Sequence, residues 1–218
     1  ARLNLKRGRG RTAVTILSLV MSITVFVALQ SFTGLLDASS SVQDMYFSDY
    51  AVTNETVGIP SEAVKTLAEN DAVESVSTTR LSVFMPGAGD ILPFETDLSV
   101  QSHETLQLVN VDEAQLQIYA PNLSAQDKQA LKDGTGCLVK NPIAFSYGDT
   151  TVQQTDLTVG DTIQLGDRTL PVLGLIDTAI TINNDGFTNG VQLIVNDEIY
   201  CSLLGNDSYS EVYPTLQD

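Results

Sequence analysis

Tryptophan is absent from the 218 residues, histidine occurs once and cysteine twice. One histidine (His103) and two cysteines (Cys137 and Cys201) without a CxxC pair exclude the usual zinc sets. A Ser-His-Asp triad has only His103 to build on. It lies in the loop-like stretch Gln101-Ser102-His103-Glu104, where a solvated surface histidine is the simpler reading. No GxxxxGK[ST] occurs, so the chain holds no phosphate-cradling P-loop. Cations are scarce after residue 11: residues 12–218 carry six Lys/Arg against all 27 Asp/Glu. That balance argues against nucleic acid as a partner. After residue 36 no uncharged apolar run reaches the roughly 18 residues of a second span. Leu170–Ile182 is shorter and carries Asp177, so it reads as a core strand pair.

The first eleven residues invert this pattern, with Arg2, Lys6, Arg7, Arg9 and Arg11 and no acid. Thr12–Leu36 follows without a single charge. At 1.5 Å per residue it makes a helix of roughly 37 Å, enough to cross a roughly 30 Å hydrocarbon core with some tilt. Its hydroxyls can bond back to their own helix. Ser18 and Ser22 are spaced for close approach of a second helix, although tolerance of small hydroxyls explains them as well. The basic block before the run, with Asp37 and Asp44 after it, puts the N-terminus in the cytoplasm. A cleaved signal peptide is the rival. The run is longer than the usual 7–15-residue h-region, however, and lacks an Ala-x-Ala site.

The remainder reads as α+β. Tyr50–Thr53 is expected as a strand, and Glu62–Glu69 as a helix capped by Ser61. A β-rich run from Val73 to Val83 follows, and together these have the size of a split βαβ unit. Further on come a strand at Leu106–Val111, a helix at Ser124–Lys132 ended by Asp133-Gly134, and strands at Cys137–Val139, Asp161–Leu165, Thr169–Leu175 and Val191–Val195. Gly166-Asp167 suits a two-residue type II′ hairpin. Pro171, lacking an N–H, places the returning strand at an edge or a bulge. Asn183-Asn184-Asp185-Gly186 has the look of a calcium loop. With Gly186 at position six, the end ligands are Thr181 and Gln192, so it is read as a turn. Cys137 and Cys201 are either a disulfide or two small buried hydrophobes, the second being favoured. Three glycosylation sequons begin at Asn54, Asn122 and Asn206, a pattern common by chance.

Val159-Gly160-Asp161-Thr162-Ile163, a short hairpin, and then Val172-Leu173-Gly174-Leu175 resemble the vGD-t-i…V-v-G-v stretch of MacB/FtsX-like ABC transporter permeases. Asn4-Leu5-Lys6-Arg7 with Arg11-Thr12-Ala13-Val14-Thr15-Ile16-Leu17 is similar to the start of that family's first membrane helix. Leu67–Val76 is similar to its helix-then-strand passage, and the order of the three agrees with the family. The resemblance implies a permease with four membrane helices and an ectodomain between the first two. That ectodomain combines a βαβ part, related to the porter domains of efflux pumps, with a β-rich insertion.

The expected organisation is a basic cytoplasmic segment (1–11), a membrane helix (12–36), a helix extension and porter-like part (37–100), a β-rich inserted subdomain (101–200) and a return to the porter-like part (201–218). Three further spans are expected beyond Asp218. The implied function is a permease subunit that couples a separate ABC ATP-binding subunit to export or mechanotransmission outside the membrane. Its partners would be that subunit, a second permease copy or homologue, the bilayer, and a peptide or lipoprotein substrate. The alternative is a single-pass anchored binding or sensor module. No enzymatic constellation, cofactor or metal site is expected. The acidic surface reads first as solubility, and second as attraction for a cationic ligand such as a basic peptide.

Overall fold

The computed structural model describes residues 17–25, 48, 50–54, 57–100, 104–140, 156–181 and 190–217. The chain divides into two units, Ala1–Met45 and Tyr46–Asp218. In the first, residues 17–25 are helical and exposed throughout. Ser22 Oγ donates to Ser18 O at 2.9 Å and Thr24 Oγ1 to Val20 O at 2.8 Å, so these hydroxyls are satisfied within their own helix. The rest of the expected span and its extension to residue 47 lie outside the described residues. Among the described residues no helix is long and apolar enough to cross a membrane.

The second unit is built on one eight-stranded mixed sheet. Its strands are β1 (Val52–Thr53), β2 (Val73–Phe84), β3 (Thr105–Val111), β4 (Cys137–Lys140), β5 (Thr162–Leu165), β6 (Arg168–Ile176), β7 (Gly190–Ile194) and β8 (Glu211–Leu216). Among the described residues four helices join them: α1 (Ser61–Ala68), α2 (Glu113–Tyr119), α3 (Ala125–Lys132) and α4 (Asp197–Leu204). The strand order is β1-β8-β2-β3-β7-β4-β6-β5. The last strand, β8, runs antiparallel between β1 and β2, which makes β1-α1-β2 a split βαβ unit.

The β3–β7 pair is parallel and nearly every residue in it is buried, as expected of strands covered on both faces. Alternation divides their side chains between two cores. Leu106, Leu108, Val191 and Leu193 face one with Cys137, Val139, Val172, Ile199 and Tyr200. Val109 and Ile194 face the other with Leu138, Ile176, Leu116 of α2 and Leu131 of α3. A third, smaller cluster of Ile59, Val64 and Val212 holds α1 to the split unit. The buried Gln192 is fully engaged. Its Oε1 accepts from Ile180 N at 2.9 Å, while its Nε2 donates to Ile180 O and to Gln107 Oε1, both at 2.6 Å. One side-chain amide thus acts as a strand partner for the chain leaving β6, where backbone groups would otherwise be buried unpaired.

Several sequence expectations need correction. Pro60, not Ser61, precedes the first turn of α1. Ser61 instead donates its hydroxyl to Asp207 Oδ2 at 2.7 Å. The run Leu170–Ile182 is not a strand pair: β6 ends at Ile176, and Gln192 rather than a second strand satisfies Ile180. Of the edge and the bulge expected at Pro171, the structure has the bulge, since strand β6 is interior, between β4 and β5. Pro171 is tolerated there because pairing with β4 begins only at Val172 and slips a residue before Gly174. Two helices, α2 and α4, follow strands β3 and β7 where no helix is expected from the sequence.

A Cβ at Gly190 would overlap Thr105 O and Oγ1, so only glycine allows β7 to lie against β3 at its first pair. Gly190→Ala is expected to destabilise by about 1–3 kcal/mol or more through overpacking. Leu193→Ala should cost about 2–5 kcal/mol, whereas Ile91→Ala, at a side chain 91% exposed, should stay within about 0.5 kcal/mol. Urea unfolding at unchanged m-value measures all three. A Gly190→Ala cost indistinguishable from that of Ile91→Ala would mean that the two strands can part freely.

Candidate functional site

β3 and β7 end side by side, and each leads directly into a helix, β3 into α2 and β7 into α4. The space beyond the carboxyl ends of adjacent parallel strands is a recurrent location for ligand clefts. Here it is a cleft of about 650 Å³ walled by the starts of α2 and α4 and by one face of α3. Its volume lies within the usual range for small-molecule sites.

Local capping fixes the walls. Asp112 accepts from Gln115 N at 2.9 Å through one carboxylate oxygen and from Thr78 N at 2.8 Å through the other, tying the first turn of α2 to β2. Asn196 accepts from Ile199 N at 3.0 Å and donates to Lys132 O at 3.0 Å, so it caps the start of α4 and the end of α3 together. Gly134, at φ +67°, keeps that junction tight; a Cβ there would press into the Asn196 amide. Asn110 Nδ2 donates to Val195 O at 3.0 Å and holds the two strand ends together.

Arg80 closes one end of the cleft. It pairs with Asn110 across β2 and β3 and is 2% exposed. Its Nη1 donates to Asn110 Oδ1 at 3.2 Å and to the Asp197 carboxylate, and its Nη2 donates to Asp207 O at 2.9 Å. The Tyr209 ring lies 3.7 Å from the guanidinium carbon, a cation–π contact. The Nε is buried without a hydrogen-bond partner. Taking a guanidinium out of water costs several kcal/mol, which a single exposed carboxylate offsets only in part. Lys128 and Lys132 face the same cleft from α3. The arrangement holds charged groups around a partly apolar space.

The residues that the sequence brought forward are placed elsewhere. His103 and Asn183–Gly186 lie outside the described residues. Gln192 is spent on Ile180 and Gln107. Cys137 and Cys201 are both free thiols, and both pack in the larger core. Asn54, Asn122 and Asn206 are exposed. Among the described residues no group of three or more His, Cys, Asp or Glu could hold a metal ion. The cleft itself was not anticipated. Its only sequence signals were a lone arginine in a Ser/Thr/Val strand run and two lysines four apart on a short helix.

The hairpin passage singled out by its family resemblance folds as a turn and two paired strands. Gly160 takes φ +94°. The Asp161 carboxylate accepts from Thr158 N at 2.7 Å and from its hydroxyl at 2.9 Å, and these bonds hold its pKa below the ordinary value. No family model matches the chain, and no curated protein matches it. Among solved structures it is similar to the extracellular domain of the noncanonic ABC-type transporter YknZ from Gram-positive bacteria. That match is at 11% identity and TM-score 0.45, over 78% of this chain and 82% of that one. It is also similar to the periplasmic region of MacB from Actinobacillus actinomycetemcomitans. There the identity is 9% and the TM-score 0.43, over 75% of this chain and 67% of that one.

Burial pushes the Cys137 thiol up from 9.0 to about 12. Raised in the folded state, it contributes stability that is complete below about pH 9 and is lost between there and about pH 12. The native thiolate at pH 8 is therefore about a thousandfold scarcer than in the unfolded chain. In native protein at pH 8, iodoacetamide should modify the half-buried Cys201 and spare Cys137; in urea both should react, as peptide mass mapping would show. Equal native rates would contradict the burial of Cys137.

Proposed function

We propose that this chain is the first membrane helix and ectodomain of an ABC transporter permease subunit, working with a separate ATP-binding subunit. The observation that carries the reading is the set of three family-like stretches in the family's order. The second runs from α1 into β2 and the third forms the β5–β6 hairpin, so both fall on defined elements of the sheet. The membrane part rests on the charge layout of residues 1–44. It is supported by the helix at 17–25, where Leu17, Leu19, Val20, Met21, Ile23 and Val25 are all more than half exposed. Six large apolar side chains this exposed, beside hydroxyls bonded to their own helix, suit an apolar surround. In this reading residues 1–11 are cytoplasmic, Thr12–Leu36 spans, and the acidic unit from Tyr46 onward lies outside. Motion of the span reaches the split βαβ unit first, and export or mechanotransmission follows. A second copy or homologue completes the permease, and a peptide or lipoprotein is the class of cargo.

The rival is a single-pass anchored sensor with no ATPase partner. Three observations on the full gene product test the topology and separate the two readings. In a Cys201→Ser background, cysteines introduced at Ile91 and Lys6 and labelled in intact cells with a membrane-impermeant maleimide should react at 91 and stay protected at 6. Affinity purification in mild detergent should bring down an ATP-binding subunit and ATPase activity, and the coding frame should continue into three further apolar spans. Labelling at 91 with no ATPase and no further span would leave the anchored sensor; protection at 91 would overturn the topology.

A further inference from the structure

Cations are rare outside the N-terminal block, yet three of the six in residues 12–218, Arg80, Lys128 and Lys132, line the cleft beyond β3 and β7. Lys128 and Lys132 stand one helical turn apart on α3, and among the described residues neither ammonium is in a salt bridge. The surrounding acids are largely engaged. Asp112 is held by Thr78 N and Gln115 N, Asp197 by Arg80, and Glu198 by Arg168 at 2.7 Å. What remains on offer is the Glu113 carboxylate at the rim, two ammonium groups and the Nε of an arginine 98% buried, a donor with no acceptor. Leaving such a donor unmatched is costly, and a charged acceptor makes the strongest partner. Leu116, Leu131 and Val195 supply an apolar floor in the same cleft.

The geometry points to this cleft as a binding site for a monocarboxylate with an apolar body, a site independent of the transport reading. The single charge follows from the four carboxylates that line it, Asp112, Glu113, Asp197 and Glu198: like charges nearby disfavour a dianion such as phosphate far more than a monoanion. A planar carboxylate also matches the guanidinium edge. The same chemistry is carried by a free carboxylic acid and by the carboxyl terminus of a peptide.

The test uses the full chain in nanodiscs, titrated calorimetrically with N-acetyl-leucine, its amide, hexanoate and inorganic phosphate. N-acetyl-leucine or hexanoate is expected to bind in roughly the millimolar range, with the amide about tenfold weaker or silent. Tighter binding of N-acetyl-leucine assigns a peptide carboxyl terminus, and tighter binding of hexanoate a free acid. The double variant Lys128→Gln/Lys132→Gln, at positions outside the core, should unfold at the same temperature and bind the acid about tenfold more weakly. The site assignment is overturned by no heat from either acid, by an amide that binds as well as its acid, or by a double variant that binds unchanged. Phosphate binding more tightly than both acids overturns the monocarboxylate.

Discussion

The second unit depends on β3 and β7 lying parallel and in contact along their whole length, a closeness that the missing side chain of Gly190 permits. Both strands are covered on both faces, so each alternate residue belongs to a different core and neither core forms without the pair. Parallel neighbours cannot be joined by a tight turn. The connection here runs from Val111 to Gly190 and carries α2, α3 and three strands, β4 to β6, which extend the same sheet beyond β7. Because β3 and β7 are in register and end together, their following helices start together as well. The cleft is thus a by-product of strand pairing, before any side chain in it is considered.

Electrostatics sharpen that position. Residues 12–218 carry a net charge of −21 when histidine is neutral. Most of this charge is solvated, where it favours solubility and contributes little to fold. Arg80 is one of the exceptions among the described residues, with Glu104, Lys140 and Glu211. It sits at 2% exposure among Asn110, Asp197, the Asp207 carbonyl and the Tyr209 ring. Arginine suits the place better than lysine, because its planar group can donate in three directions while one face lies against an aromatic ring. Lys140 is the contrasting case: buried at the end of β4, its ammonium is pushed below the ordinary lysine pKa by desolvation.

Local signals in the sequence were largely readable. Ser124 accepts from Asp127 N at 3.1 Å as the start of α3, and Gly134 ends it with positive φ, so both punctuation marks meant what their chemistry says. Strands β2 to β7 were visible in runs of β-branched and alternating residues, whereas β8 was not. The two missed helices are short. In α2 a single buried leucine supplies most of the apolar face, and Asp112-Glu113 was the available start signal. In α4, Ile199 and Tyr200 continue the apolar run of β7, which hides the cap at Asn196 and the stop at Gly205. Pro171 signals an edge or a bulge, and the bulge is what forms: the strand is interior and its ladder with β4 slips beside the proline. The cleft was illegible for a different reason. Arg80 meets Asp197, Asp207 and Tyr209 across more than a hundred residues of chain, and no local pattern encodes that meeting.

Strand β2 links these features, because it serves two partners in turn. Its first part pairs with β8 and its second with β3, and Thr79 pairs with both, opposite Glu211 on one side and Val111 on the other. The apolar clusters lie on either side of this handover, Ile59, Val64 and Val212 toward the split unit and the two larger cores toward β7. At the handover itself the contacts are polar. Ser210 N donates to Thr79 O, and Ser210 Oγ bridges Leu81 N and Leu81 O. Thr79 donates to Gln115 Oε1, Asp112 holds Thr78 N, and Arg80 holds Asp197 and Asp207 O. Hydrogen bonds are directional, whereas apolar packing tolerates sliding, so a joint made this way fixes an angle more than it adds stability. The cleft opens on that same joint, with Thr78, Arg80 and Tyr209 among its walls. Whatever occupies it touches the residues that set how the split unit is joined to the central sheet.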